Sequence, residues 1–174
     1  MTDQNSLENI PDIQTLRLHL RILGVNDAGS FQRLTDHPQI TNIVHFLPTP
    51  FTEIDAKNLI IGKADGRDKF MGVWLHGFDD MAAVIGVHLH DENEIEIGYW
   101  VRPDQQRKGI AREGATALIM LLTKFFPKRE IIAECRPENR PSWQLLEKIG
   151  FQATGKPGLR PGRYRFIWNK DLLV

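Results

Sequence analysis

The sequence predicts one α/β domain built on a mixed sheet, and three observations lead there. A chain of 174 residues with 41% hydrophobic content can bury about two-thirds of its unfolded surface, enough for one core without staples. Residues 70–76 and 82–90 are strand-like and flank a turn around Gly77, Phe78, Asp79 and Asp80, which predicts an antiparallel hairpin. A strand pattern at 94–101, a helical pattern at 110–126 and a strand pattern at 131–134 then follow in succession. That order predicts a right-handed crossover and locally parallel pairing.

Taken in order, residues 1–12 read as a flexible arm before a domain at 13–174. Leu16, Leu18 and Leu20 alternate with Arg17, His19 and Arg21, the period of a half-buried strand. Residues 26–35 predict a first helix. Thr52 followed by Asp55 predicts a capping box opening a second, over residues 56–61. The proline-broken apolar stretch between them, with His37, Pro38 and the run 46–51, reads as a loop over the core or a cleft. In the strand at 94–101, Ile95, Ile97, Tyr99 and Val101 share one face, and Glu94, Glu96, Gly98 and Trp100 the other. Helical spacing of Ile110, Gly114, Leu118, Leu121, Leu122 and Phe125 gives a stripe to bury on a sheet, and Pro127 ends it. Asn139 can cap a last helix with Pro141 in its first turn, Trp143, Leu146 and Ile149 inward, and Gly150 at its exit. Residues 151–154 and 163–168 form a closing hairpin in which Tyr164, Phe166 and Trp168 alternate.

Composition excludes several classes. The single cysteine, Cys135, rules out an internal disulfide and a thiolate zinc site, and no apolar run reaches the ~20 residues that cross a bilayer. The polar start lacks the marks of a signal peptide, so a cytoplasmic location is expected. Twenty-two basic residues balance 22 acidic ones, which argues against a nucleic-acid binder. The balance is local, however: residues 53–98 hold ten acids against four bases, and residues 155–170 hold Lys156, Arg160, Arg163, Arg165 and Lys170 with no acid. An acidic middle can attract a cationic substrate and the basic stretch an anionic one, and a solvated face explains either.

The most specific local signal is the junction Gln106-Arg107-Lys108-Gly109-Ile110-Ala111 between strand and helix. At a helix start the first N–H groups lack intrahelical partners and their dipoles favour an anion. Gly109 lets a ligand approach the main chain, Ala111 keeps the next turn small, and Arg107 and Lys108 add charge. A second helix start near Asn139 follows the next parallel strand, so a gap between the two strands can admit a long phosphorylated ligand.

These pieces, with Thr15 to Arg21, Glu96 to Val101, Asn139 to Ser142 and Leu146 to Phe151, resemble the GNAT N-acetyltransferase superfamily. The resemblance is closest to the ribosomal-protein N-terminal (alanine and serine) acetyltransferase branch. It implies a twisted mixed sheet of six or seven strands flanked by helices, with acetyl-coenzyme A in a V-shaped split between the fourth and fifth strands. Tyr99, Trp100 and Val101 would then line the acetyl end, and Gln106, Arg107, Lys108, Gly109, Ile110 and Ala111 the phosphates. Asn139 and Ser142 would also contact the cofactor. Where many members carry a proton-donating tyrosine this chain has Leu146, which leaves Ser142 as the substitute donor.

Acetyl transfer to an amine needs a neutral amine, a stabilised oxyanion and a thiolate that can leave, and it needs no metal. Glu96 is the first candidate for general base, directly or through water, with Glu94 an equal decoy and a solvated acid the simpler account. His37, His45, His76, His88 and His90 are further titratable groups, none in a metal-ligand spacing. A main-chain N–H near Trp100 or Val101 can serve the oxyanion. Neutralising a lysine near pH 7 costs roughly 4 to 5 kcal/mol and an α-amine roughly 1 to 1.5, so a peptide N-terminus or a small metabolite amine suits one modest base better. Cys135 reads as a small strand residue rather than a nucleophile. The acceptor stays open between a protein or peptide N-terminus and a small amine such as a polyamine, amino acid or antibiotic. A non-catalytic acyl-coenzyme A-binding module is the other class, and a homodimer is compatible with the aromatic strands at the end of the chain.

Overall fold

The computed structural model describes residues 3–173. Its single sheet has eight strands in the order β1-β2-β3-β4-β5-β6-β8-β7: β1 (Ile13–Gln14), β2 (Leu18–Ile22), β3 (Asp68–Leu75), β4 (Met81–His90), β5 (Glu94–Val101), β6 (Glu130–Cys135), β7 (Phe151–Pro157) and β8 (Tyr164–Trp168). Five helices accompany it: α1 (Ala28–Thr35), α2 (Pro38–Thr41), α3 (Glu53–Ile61), α4 (Ile110–Phe125) and α5 (Arg140–Lys148). All pairings are antiparallel except β5 with β6, as the crossover through α4 requires. The strand count exceeds six or seven through β1, only two residues long, so the split expected between fourth and fifth strands lies between β5 and β6.

That split is visible in the register. β4 and β5 pair from His90 with Glu94 through to Ala83 with Val101. β5 and β6 pair only at Glu94 with Glu130, Ile95 with Ile131 and Glu96 with Ile132. From Ile97 onward β5 has no ladder partner on its β6 side, and the two strands diverge.

The sheet is buried on both faces. One core holds Leu18, Leu20, Met71, Val87, Ile95 and Ile97 against Leu118 and Leu122 of α4 and Leu146 of α5. The other holds Phe31, Leu34, Phe51, Ala56, Phe70, Val84 and Trp100 under α1 and α3. The second face of β5 is therefore not solvated: Trp100 is 7% and Glu96 3% exposed, and the Trp100 indole donates to Thr35 Oγ1 at 3.0 Å. The alternation of β5 was correct, but its polar-looking face meets another apolar layer.

Local chemistry sets the boundaries. Thr52 Oγ1 accepts from the Asp55 N–H and the Asp55 carboxylate accepts from the Thr52 N–H, the reciprocal cap the spacing predicts. Gly150 leaves α5 at φ 99°, a left-handed exit suited to glycine. Asn139 precedes α5, yet its side chain makes no capping hydrogen bond. The described part of the amino-terminal segment is also not loose: Leu7 is 0% and Ile10 7% exposed. Arg129 anchors it by donating to the Gln4 carbonyl and Asn5 Oδ1, and to the carbonyls of His90, Asp91 and Glu94. Met1 and Thr2 lie outside the described residues.

Candidate active site

The junction between β5 and α4 has the conformation its residues predict. Gly109 caps α4 at φ 77° and Arg107 sits at φ 62°. Both are left-handed, which is ordinary for glycine and costly for arginine. No main-chain N–H from Arg107 to Arg112 donates to a protein acceptor among the described residues. A row of free donors at the positive end of a 16-residue helix can seat an anion.

A clamp holds this turn in place. Arg17, in the turn before β2, donates Nε to Glu113 Oε2 at 2.6 Å and Nη1 to the Lys108 carbonyl at 2.9 Å. Thr15 Oγ1 and the Arg17 N–H also donate to Glu113 Oε1. Burial alone would raise the Glu113 carboxyl; the hydrogen bonds from Thr15 and Arg17 outweigh it and hold the group below the usual glutamate value. A methyl group on Gly109 would lie 3.2 Å from the Arg17 guanidinium.

Two cavities meet at the split. The larger, about 620 Å³, is lined by Tyr99, Trp100, Val101, Gln106, Arg107, Gly109, Ile110 and Ala111 and closed by Asn139 and Ser142 of the second helix start. Arg112, Arg140 and Lys148 add three cationic side chains to its wall, which single-segment reading of the sequence does not reveal. Free amides, a left-handed glycine and a cationic rim fit the phosphates of acetyl-coenzyme A. Lys108 is the exception among the expected contacts: it is not part of the lining, and its ammonium turns to Gln105 Oε1 at 3.4 Å.

The smaller cavity, about 70 Å³, lies within the split, between Ile97 to Tyr99 of β5 and Ala133 to Cys135 of β6. Ile43, Val44, Tyr99, Trp100, Asn139 and Ser142 line both spaces, so the two communicate there. The segment 37–51 does lie over a cleft, as its composition suggests, with Phe46 edge-on to Trp100 at 6.2 Å between ring centroids. At the meeting point the Tyr99 hydroxyl is within 3.2 Å of Ser142 Oγ and donates to the Ser142 carbonyl at 3.4 Å. Burial raises the Tyr99 phenol well above its ordinary value, partly opposed by the Ser142 hydrogen bond, so it stays protonated. Cys135 also lines the smaller space, but burial pushes its thiol up and leaves it a poor nucleophile.

Glu96 is not placed as a free carboxylate at the split. It points into the protein, ion-paired with Arg160 and 2.6 Å from His90 Nε2, and it lines neither cavity. Glu94 is bound by Arg165, and Glu134 by Arg160 and the Leu159 and Arg160 N–H groups. No cluster of three or more metal-binding side chains occurs among the described residues, and no described helix is long and apolar enough to cross a membrane.

Residues 17–152 match the acetyltransferase (GNAT) domain model. An uncharacterized N-acetyltransferase of Bacillus subtilis, YnaD, is 31% identical over 145 residues, covering 82% of this chain and 84% of its own. The crystal structure of a GNAT-family acetyltransferase from Bacillus anthracis superposes with a TM-score of 0.78 at 26% identity, covering 92% of this chain and 99% of that one. The same fold, at 16% identity in each case, occurs in a ribosomal-protein-S5-alanine acetyltransferase from Vibrio fischeri (TM-score 0.74, 94% and 100% covered) and in the aminoglycoside acetyltransferase AAC(6')-Ib with coenzyme A and kanamycin (TM-score 0.73, 89% and 96% covered). Free donors at a helix start, a strand pair that opens beyond Glu96 and a match over most of the sequence converge: the chain belongs to the GNAT family and is an acetyl-coenzyme A-dependent N-acetyltransferase.

Proposed function

We propose that the acceptor is an α-amine, at a peptide N-terminus or on a small amino compound, that enters the smaller cavity and takes the acetyl group directly at the split. The observation that carries this reading is the set of residues shared by both cavities, with the Tyr99 and Ser142 hydroxyls paired between them. The thioester supplies the acetyl group. The neutral amine attacks the thioester carbonyl to form the C–N bond, the C–S bond breaks, Tyr99 gives its proton to the departing sulfur, and the proton lost from the new ammonium returns to Tyr99 through Ser142. Arg107, Gln106 and the amides to Ala111 hold the phosphates.

The preference for an α-amine follows from the carboxylates. Glu94, Glu96 and Glu134 are each committed to an arginine, which leaves no free carboxylate among them to deprotonate a strong base. An α-amine loses its proton for roughly 1 to 1.5 kcal/mol at neutral pH, against roughly 4 to 5 for a lysine. Coenzyme A release measured over a panel of peptides, amino acids, lysine side-chain mimics and polyamines tests the proposal. Faster turnover of lysine mimics than of α-amines at equal total concentration and neutral pH would overturn it.

A further inference from the structure

The smaller cavity has a charge pattern that narrows the acceptor further, granted the acetyltransferase reading above. Three guanidinium groups, Arg136, Arg160 and Arg163, line it, against one lining carboxylate, Glu134. Arg160 spans Glu96 and Glu134, so both buried acids are answered by one base. Arg136 and Arg163 form no ion pair among the described residues, and the buried Nε of Arg136 has no hydrogen-bond partner. Two carboxylates against three guanidiniums leave the region cationic.

The neighbours feel that excess. Exposed His45, at the rim, is pushed below the ordinary imidazole value by desolvation and then by Arg136 and Arg163. Burial lowers Arg163; Glu134 opposes this in part, and the like charge of Arg136 adds to the lowering. A desolvated guanidinium without an ion-paired or hydrogen-bonded anion is expensive, and bidentate capture of a carboxylate is the geometry that relieves it. The cavity of about 70 Å³ is open on one side. A carboxylate fits, whereas a sugar ring carrying several ammonium groups meets like charge.

We propose that the acceptor amine carries a carboxylate close by, and that Arg136 and Arg163 bind it. The carboxylate has two possible sources, the α-carboxyl of a free amino acid or the acidic side chain of a peptide near its N-terminus. Both present the same anion to the same two arginines.

The test uses the full chain with acetyl-coenzyme A and matched pairs of acceptors, with rates compared per neutral amine. One arm sets free amino acids against their amides, and the other sets C-terminally amidated peptides beginning Ser-Asp or Asp-Ala against those beginning Ser-Asn or Asn-Ala. The acid of a pair is expected to exceed its neutral match by about 10- to 100-fold in kcat/KM, the range of a charge-assisted hydrogen bond, and the arm that shows it identifies the source. Spermidine and kanamycin are expected below every neutral amine. Arg163→Gln should collapse the ratio through KM for the acid, and Arg163→Lys should restore part of it. Thermal melting of both variants separates this from misfolding. Equal turnover of acids and amides, or faster turnover of the polycations, would overturn the inference while leaving the acetyltransferase in place. Failure of every amine to release coenzyme A would remove the enzymatic reading as well.

Discussion

Replacing Glu96 with Gln removes a charge from a side chain almost closed to water and leaves Arg160 with Glu134 as its remaining carboxylate. Loss of one member of a buried pair costs on the order of 3 kcal/mol, so Glu96→Gln should lower the urea midpoint of unfolding while the pH–rate profile keeps its shape. A rate lost at neutral pH and recovered at higher pH, with stability intact, would return Glu96 to the role of base. Tyr99→Phe is expected to behave in the opposite way: kcat falls by about 100-fold or more, while KM for acetyl-coenzyme A and the melting temperature change little. Cys135→Ala should retain most of the turnover, since the protonated buried thiol donates weakly to main-chain carbonyls of Arg136 and Asn139. The role of Tyr99 was half legible. Its place on β5 followed from alternation, but its contact with Ser142, 43 residues away, depends on how α5 lies over the split, and no local pattern encodes that.

At the scale of elements, the turn before α4 depends on a residue from the other end of the sheet. Arg17 fixes the Lys108 carbonyl and Glu113 together, which stiffens the row of free amides between them. Arg17→Ala should therefore raise KM for acetyl-coenzyme A by about tenfold, the effect of one charge-assisted contact, without a comparable change in kcat. Gly109→Val should raise it further by adding a β-branched side chain at φ 77°. Steady-state kinetics at saturating acceptor measure both. Period and capping signals located β5, α3 and α4 because those signals are local. The order β6-β8-β7 is not local, and it is this order that sets β8 beside β6 and the preceding loop, with Arg160, close to Glu96 and Glu134. The basic cluster at 155–170 was apparent in the sequence, but its partners were not.

For the whole molecule, several carboxyls respond to acid in the same direction. A hydrogen bond from Arg21 holds Asp27 below the aspartate value of 3.8, and one from Arg165 holds Glu94 below the glutamate value of 4.5, with Glu113 lowered as described. The unfolded chain thus takes up these protons first as pH falls, so the stabilisation is complete above the ordinary values and is lost through the lower folded ones. The melting temperature should be level from pH 7 to about 5 and drop steeply below about 4, as circular dichroism would show. Arg129→Ala should cost about 2 to 4 kcal/mol, since it strips a charged donor from several main-chain carbonyls at once, and should expose residues 3–10 to proteolysis.

The sheet separates two apolar layers, and in the proposed reaction each supports a different half. The layer under α4 backs the row of free amides, whereas the one under α1 and α3 holds Trp100, against which exposed Phe46 packs at the proposed amine side. Substitutions at Phe46, which lines the smaller cavity alone, can thus retool the choice of guest without loosening the hold on the donor, whereas changes at Ile43 or Val44 would touch both. A lineage, or an engineer, has a ready route from one clientele to another.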